Sequence, residues 1–224
     1  MNKGCQTVET ATKYSAANPS PRWRELISLY QNMHNDGDGV RPAEETFAGM
    51  PRAKLIIRLR ELTREHGARS LLDYGSGKGM QWRLDFDLGA IDKTAEKRLV
   101  RYLELDEIQC YDPGYQPLSK LPERDFDGVI CLDVLEHCPE EDMAWVIDQI
   151  FGYARKFVLA NIACYPAEKH LPNGENAHCT VKPVGWWRDM LAQITINHPR
   201  VRYQIICEQP DSDGQQTEET LLEG

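Results

Sequence analysis

The chain has no C-x-x-C pair, no long apolar run and no surplus of basic charge, and each absence removes a class of function. Its seven cysteines (Cys5, Cys110, Cys131, Cys138, Cys164, Cys179, Cys207) are scattered and odd in number. That argues against a disulfide framework and against a zinc site built on paired cysteines, and it fits a reducing, cytoplasmic setting. No segment approaches the roughly 20 apolar residues that a membrane-crossing helix needs. Polar Lys3, Gln6, Thr7, Glu9 and Lys13 stand where a secretory signal would carry its apolar centre. With 26 basic against 35 acidic residues and a formal net charge of −9, the chain carries no overall basic footprint. Nucleic acid and anionic membranes are therefore disfavoured as partners, with a local basic groove left open. Neither composition nor pattern fixes an oligomeric state.

A length of 224 residues suits one α/β domain with a substantial core and is short for two domains with linkers. Residues 1–19 are small and polar without periodicity, which predicts a disordered tail. Ser20 and Pro21 then provide a cap and a first-turn proline for a helix with Trp23, Leu26, Ile27 and Tyr30 on one face. The turn-rich run from His34 begins like a calcium loop but lacks the alternating ligands of one. Leu55, Ile56, Leu59 and Leu62 mark a second amphipathic helix over 51–66, whose basic residues interleave with Glu61 and Glu65 as on a solvated face.

The most informative stretch is Leu71-Leu72-Asp73-Tyr74-Gly75-Ser76-Gly77-Lys78-Gly79. A buried strand ends at Asp73, and alternate glycines then let the backbone turn sharply beside a ligand. Met80 stands where a nicotinamide fingerprint needs its last glycine, and the four-residue gap of a phosphate-cradling P-loop is missing. The run from Asp73 to Gly79 resembles the first motif of class I methyltransferases, which bind S-adenosylmethionine (SAM). The resemblance implies that Asp73, Tyr74, Gly75, Ser76, Gly77 and Gly79 bind this cofactor, the glycine turn by backbone N–H groups and Asp73 by holding the ammonium group. It also implies a single doubly wound, mostly parallel Rossmann-like sheet with an antiparallel last strand and an N-terminal helical extension. Segments ahead of the first strand often cover the cofactor in that family, which makes 34–47 a candidate lid.

Trp82, Leu84, Phe86 and Leu88 alternate as a strand would, whereas 94–105 reads equally as a helix or as a short strand around Val100 to Leu103. Ile108 to Tyr111 reads as a strand stopped by Asp112-Pro113-Gly114. By the same resemblance Asp112 accepts the ribose hydroxyls, with Pro113 beside it; the competing reading is an Asp that only initiates the turn. Only 114–125 separates this turn from the next strand, too little for the family's usual helix and third strand. The adenine-binding residues are then sought in 117–121.

Phe126 to His137 resembles the family's fourth motif, which places Asp133 and Val134 in the cofactor pocket and His137 beside the substrate. Pro139 and three acids open a helix with Met143, Val146, Ile147, Ile150 and Phe151 buried, and a strand follows from Lys156. The long loop 164–182 follows a strand's carboxyl end and is the expected substrate loop. Its His178 is a candidate general base, or else one of several residues that pin the loop. Cys164, His170, His178 and Cys179 match no metal-ligand spacing, so no metal is expected. A helix over 184–194 and a strand over 202–207, expected to run antiparallel, complete a SAM-binding domain spanning 20–209, and the acidic stretch 210–224 is expected to be disordered. The function so implied is methyl transfer from SAM to an O or N atom of a small molecule; a SAM-binding module without transfer is the alternative.

Overall fold

A computed structural model describes residues 13–48, 52–93, 96–210 and 217–224. The Ser20 hydroxyl accepts from Trp23 N at 2.9 Å and so caps α1 (Pro21–Asp36), whose first turn takes the proline that cannot donate there. Helix α2 (Ala53–Glu65) buries its leucine stripe. There follow β1 (Ser70–Tyr74), the single-turn helices α3 (Gly89–Asp92) and α4 (Leu99–Tyr102), β2 (Glu107–Tyr111), β3 (Phe126–Leu132), α5 (Met143–Gly152), β4 (Ala154–Ala163), α6 (Val184–Ile194), β5 (Arg202–Pro210) and β6 (Thr217–Glu223). The strands form one sheet in the order β2-β1-β3-β4-β5-β6, parallel throughout except for the final β5–β6 pair.

Alternation along the central strands divides the core into two layers. Leu72, Val129, Val158 and Ile205 pack with Val146, Ile147 and Ile150 of α5 and Trp187 and Leu191 of α6. Leu71, Ile130 and Leu159 pack on the other face with Leu59 and Leu62 of α2, Leu99 of α4 and Trp82. Each fully buried side chain of this size contributes about 1.5–3 kcal/mol. This is the Rossmann-like architecture expected. Strand β1 has β2 on one side and β3 on the other, so the strand order reverses there, and a crevice opens at such a switch point in α/β sheets.

Several expectations need correction. The segment after the glycine turn is no strand: Met80–Trp82 form one 3-10 turn, and Asp85 makes only an isolated bridge to Arg98. Leu84 is exposed while Trp82 and Leu88 are buried, so the alternation does not describe one sheet face. Leu99–Tyr102 resolves the open reading of 94–105 as a helix. Between β2 and β3 the connection crosses β1 with only the 3-10 turn Gln116–Leu118, as the short spacing requires. Strand β5 is parallel to β4, from Phe157↔Arg202 to Ala163↔Glu208, and the antiparallel strand is β6. Part of the stretch expected to be disordered, 217–223, is therefore a strand. The acidic composition misleads because β6 is an edge: its backbone pairs with β5 and Leu222 joins the core, while Glu218, Glu219 and Glu223 remain exposed and discourage further pairing. At the other end, residues 1–12 of the expected tail lie outside the described residues, and Ser15 and Asn18 close a small turn before the cap. Among the described residues no helix is long and apolar enough to cross a membrane, and the cysteines are free thiols.

The start of α1 is fastened to α5 by one buried carboxylate. Asp142 Oδ1 accepts from Ser20 N at 3.0 Å and from Trp145 Nε1 at 2.7 Å, and the Trp23 and Trp145 rings meet edge to face at 4.8 Å. Replacement Asp142→Ala leaves the buried Ser20 N and the part-buried Trp145 Nε1 unpaired, a loss of about 3 kcal/mol. Urea unfolding checks this, the expected result being a lower midpoint; an unchanged midpoint would show that the Asp142 bonds contribute nothing to holding α1.

Candidate functional site

At the carboxyl edge of β1, β2 and β3 lies a cavity of about 250 Å³. Its floor and walls come from three turns: Tyr74–Gly77 after β1, Asp112–Gly114 after β2, and Leu132–Val134 with His137–Pro139 after β3. Helix α1 roofs it with Trp23, Leu26, Ile27, Tyr30 and His34, joined by Phe47. Of the candidate lid 34–47, His34 and Phe47 reach the cavity; the rest of the cover is α1 itself.

Gly75 and Gly77 adopt left-handed φ angles of 80° and 57°. A Cβ on Gly75 would come within 2.3 Å of Val134 Cγ2, and one on Gly77 within 2.2 Å of the Phe47 carbonyl oxygen. Both glycines are thus required by the protein's own packing. The backbone donors of the turn are also committed within the chain. Gly75 N and Ser76 N donate to Tyr111 O at 2.7 and 3.1 Å, Gly77 N to Asp112 Oδ2 at 2.8 Å, Lys78 N to Phe47 O at 2.8 Å and Gly79 N to Ser76 O at 3.0 Å. In this structure these N–H groups hold the turn's own shape.

The two carboxylates of the sequence reading part company. Asp112 lines the cavity, accepting from Gly77 N and, through Oδ1, from Gly114 N at 2.8 Å. Each of its oxygens retains further acceptor capacity. Burial pushes its pKa up to about 6. Asp73 faces the opposite layer, away from the cavity wall, because the next residue, Tyr74, faces it. There its Oδ2 accepts from Gln81 Nε2 and Trp82 Nε1, both at 2.7 Å. Gly79 is also absent from the cavity and lines a separate groove with Trp82, Cys110, Pro117 and Leu118, so the 117–121 stretch does not contact the cavity either.

Asp133 and Val134 line the cavity. Asp133 takes a left-handed φ of 54°, its N donating to Asn161 Oδ1 at 3.1 Å while Asn161 Nδ2 donates back to Asp133 Oδ1. Asp and Asn tolerate this conformation better than most residues because their short polar chains can bond locally. The Arg52 guanidinium lies 3.7 Å away.

His137 lines the cavity, and its Nδ1 lies 2.8 Å from Ala177 O and 2.9 Å from Tyr30 Oη. Burial, helped by His178, lowers its pKa to about 4. The ring is neutral near pH 7, and since a carbonyl can only accept, Nδ1 carries the proton and Nε2 keeps its lone pair. His178 stands behind His137 with ring centroids 4.8 Å apart and is not itself part of the cavity wall. Its Nδ1 is 2.6 Å from Tyr165 O, while Asn176 pins the loop by exchanging two hydrogen bonds with Ala167, at 2.9 and 2.7 Å.

Sequence reading assigned no site role to four contributors. Lys78 is a clasp: Nζ donates to His34 O at 3.1 Å and lies 3.1 Å from His34 Nδ1, so the glycine turn grips the last turn of α1. Burial and this ammonium lower His34 to about 4, leaving it a neutral acceptor. Tyr30 and His34 themselves continue the stripe of Trp23 and Ile27 at steps of four, three and four, a signal present in the sequence. Glu136 is wholly buried, with a pKa raised to about 8 by burial and by Asp133, and nothing in its apolar surroundings in the sequence marked it. Compared with known proteins, the chain matches no protein-family model and no curated protein.

Burial raises the pKa of Asp73 to about 7, above its unfolded value of 3.8. Between these two values the folded state binds more protons than the unfolded one, so stability falls as pH rises from about 4 to 7, by about 1.4 kcal/mol per unit at most. The variant Asp73→Asn, whose amide oxygen can still accept from Gln81 and Trp82, should lack this slope and be the more stable form at pH 8. Parallel urea titrations at pH 5 and pH 8 test this; equal slopes in both proteins would refute it.

Proposed function

We propose that the protein is a SAM-dependent methyltransferase acting on an O or N atom of a small-molecule acceptor. One observation carries the reading: the glycine turn, Asp112 and the Asp133–Val134 turn, read separately along the chain, line one cavity at the switch point of the sheet, with His137 beside them. The residues fit the cofactor in part. Asp112 would hold a ribose through its remaining acceptor capacity, and Pro113, Leu132 and Val134 would give apolar contact. Asp73 has no part in this, since its carboxylate is turned away and taken up by Gln81 and Trp82.

When bound, SAM supplies a methyl carbon activated by its positively charged sulfur. The chain's share is alignment and exclusion of water, provided by the apolar underside of α1. A neutral His137, oriented by the Nδ1–H bond to Ala177 O, offers Nε2 to accept a proton from a hydroxyl or amine acceptor. The cavity of about 250 Å³ is smaller than the roughly 300–1,000 Å³ of sites that enclose a whole ligand. Helix α1 would therefore lift to admit a nucleoside and close over it. That closed roof also favours a second reading, a SAM-binding module without transfer.

Calorimetric titration with SAM and with S-adenosylhomocysteine tests the cofactor; absence of heat with both defeats either reading. Loss of a hydrogen bond to a charged group weakens binding by about tenfold to a hundredfold, and Asp112→Ala should show a loss of that size with its circular dichroism spectrum unchanged. Unaltered affinity would move the ribose contact elsewhere. Formation of S-adenosylhomocysteine with an added acceptor distinguishes the enzyme from the module.

A further inference from the structure

Behind the cavity wall, Glu136, His137 and His178 converge so that one ligand atom from each lies within 4.8 Å of the others. Two separate segments supply them, held side by side by backbone and side-chain bonds: Thr180 N donates to Glu136 O at 3.0 Å and Thr180 Oγ1 to Cys138 O at 2.6 Å. Both histidines use Nδ1 on a backbone carbonyl, Ala177 O and Tyr165 O. The ring nitrogen that each leaves for a further partner is therefore Nε2. A carbonyl on the far nitrogen is the usual way a metal-binding imidazole is oriented.

Glu136 supplies an independent observation. Its side chain is completely buried; Oε1 accepts from Ala163 N at 3.0 Å, but Oε2 has no hydrogen-bond partner among the described residues. A buried carboxylate oxygen left without a donor is costly unless something else meets it. Two imidazole nitrogens and one carboxylate oxygen form a donor set suited to first-row divalent transition ions, and too rich in nitrogen for calcium or magnesium.

We propose that Glu136, His137 and His178 bind one first-row divalent transition ion of the zinc, manganese or iron type. With metal–ligand bonds of about 2.1 Å, tetrahedral donor atoms stand about 3.4 Å apart, so a separation of 4.8 Å must close by about 1.4 Å on binding. Three protein ligands leave a position open, and His137 is shared with the cavity wall. If the methyltransferase reading holds, that position can take an oxygen of the acceptor and make its proton more acidic, a role that replaces the base role of the metal-free His137 Nε2. Metal binding itself does not depend on that reading.

The test uses the full chain without an affinity tag, stripped with EDTA and titrated with Co²⁺ as a visible-spectrum probe. One equivalent should produce saturable d–d bands, displaced by Zn²⁺, whether or not SAM or S-adenosylhomocysteine binds. His178→Ala and Glu136→Gln should each weaken Co²⁺ binding at least tenfold, while His170→Ala, a nearby loop histidine outside the cluster, should leave it unchanged. Should Glu136→Gln fail to fold, His178→Ala carries the test, since that ring sits on a half-buried loop. The proposal is overturned by no saturable binding, by parental affinity in folded His178→Ala, or by an intense thiolate charge-transfer band that puts the ion on cysteine.

Discussion

The carboxylate of Asp112 is the interaction on which the site depends. It reaches from the end of β2 to the N–H of Gly77 in the turn after β1 and to the N–H of Gly114 in its own turn. Two loops from neighbouring strands are thereby fixed at a set spacing by charge-assisted hydrogen bonds. Together with Tyr111 O, which accepts from Gly75 N and Ser76 N, this leaves the glycine turn almost no freedom. The crevice at the switch point exists because these turns diverge from strands that the sheet holds side by side, and Asp112 keeps one of its edges in place.

Helix α1 depends on that edge in turn. Its last turn is gripped by Lys78 from the glycine turn, and its first by Asp142 from the other side of the crevice. Between the two anchors, an aromatic and aliphatic face lies over the cavity, and Tyr30 reaches His137. The roof is thus fastened by polar contacts at its ends and rests on apolar ones in the middle. Such an arrangement can loosen at one end without unpacking the core, since most core apolar contacts lie in the two layers flanking the sheet.

The loop 164–182 completes the picture on the far side of the crevice. Asn176 folds it back on Ala167, and its return segment runs beside the 136–138 turn. The consequence is chemical: a histidine from the loop and an adjacent Glu-His pair after β3 face one another in a largely buried space, with both imidazoles held through Nδ1 by a backbone carbonyl.

Much of this could be read from the sequence, for a physical reason. The buried strands and amphipathic helices carry period-two and period-3.6 patterns that survive without any knowledge of partners. The turns at strand ends announce themselves by glycine, proline and acidic residues, and Asp112, Asp133, Val134 and His137, picked out on that ground, all line the one cavity. What the sequence could not decide was direction and company. Whether Asp73 faces the cavity or Trp82 depends on strand register and on which layer each side holds. Whether an acidic terminal stretch is disordered or an edge strand depends on the free backbone donors of β5, which composition does not reveal. The approach of His178 to Glu136 and His137 is set by contacts between residues remote in the chain, and such contacts leave no periodic trace in either segment.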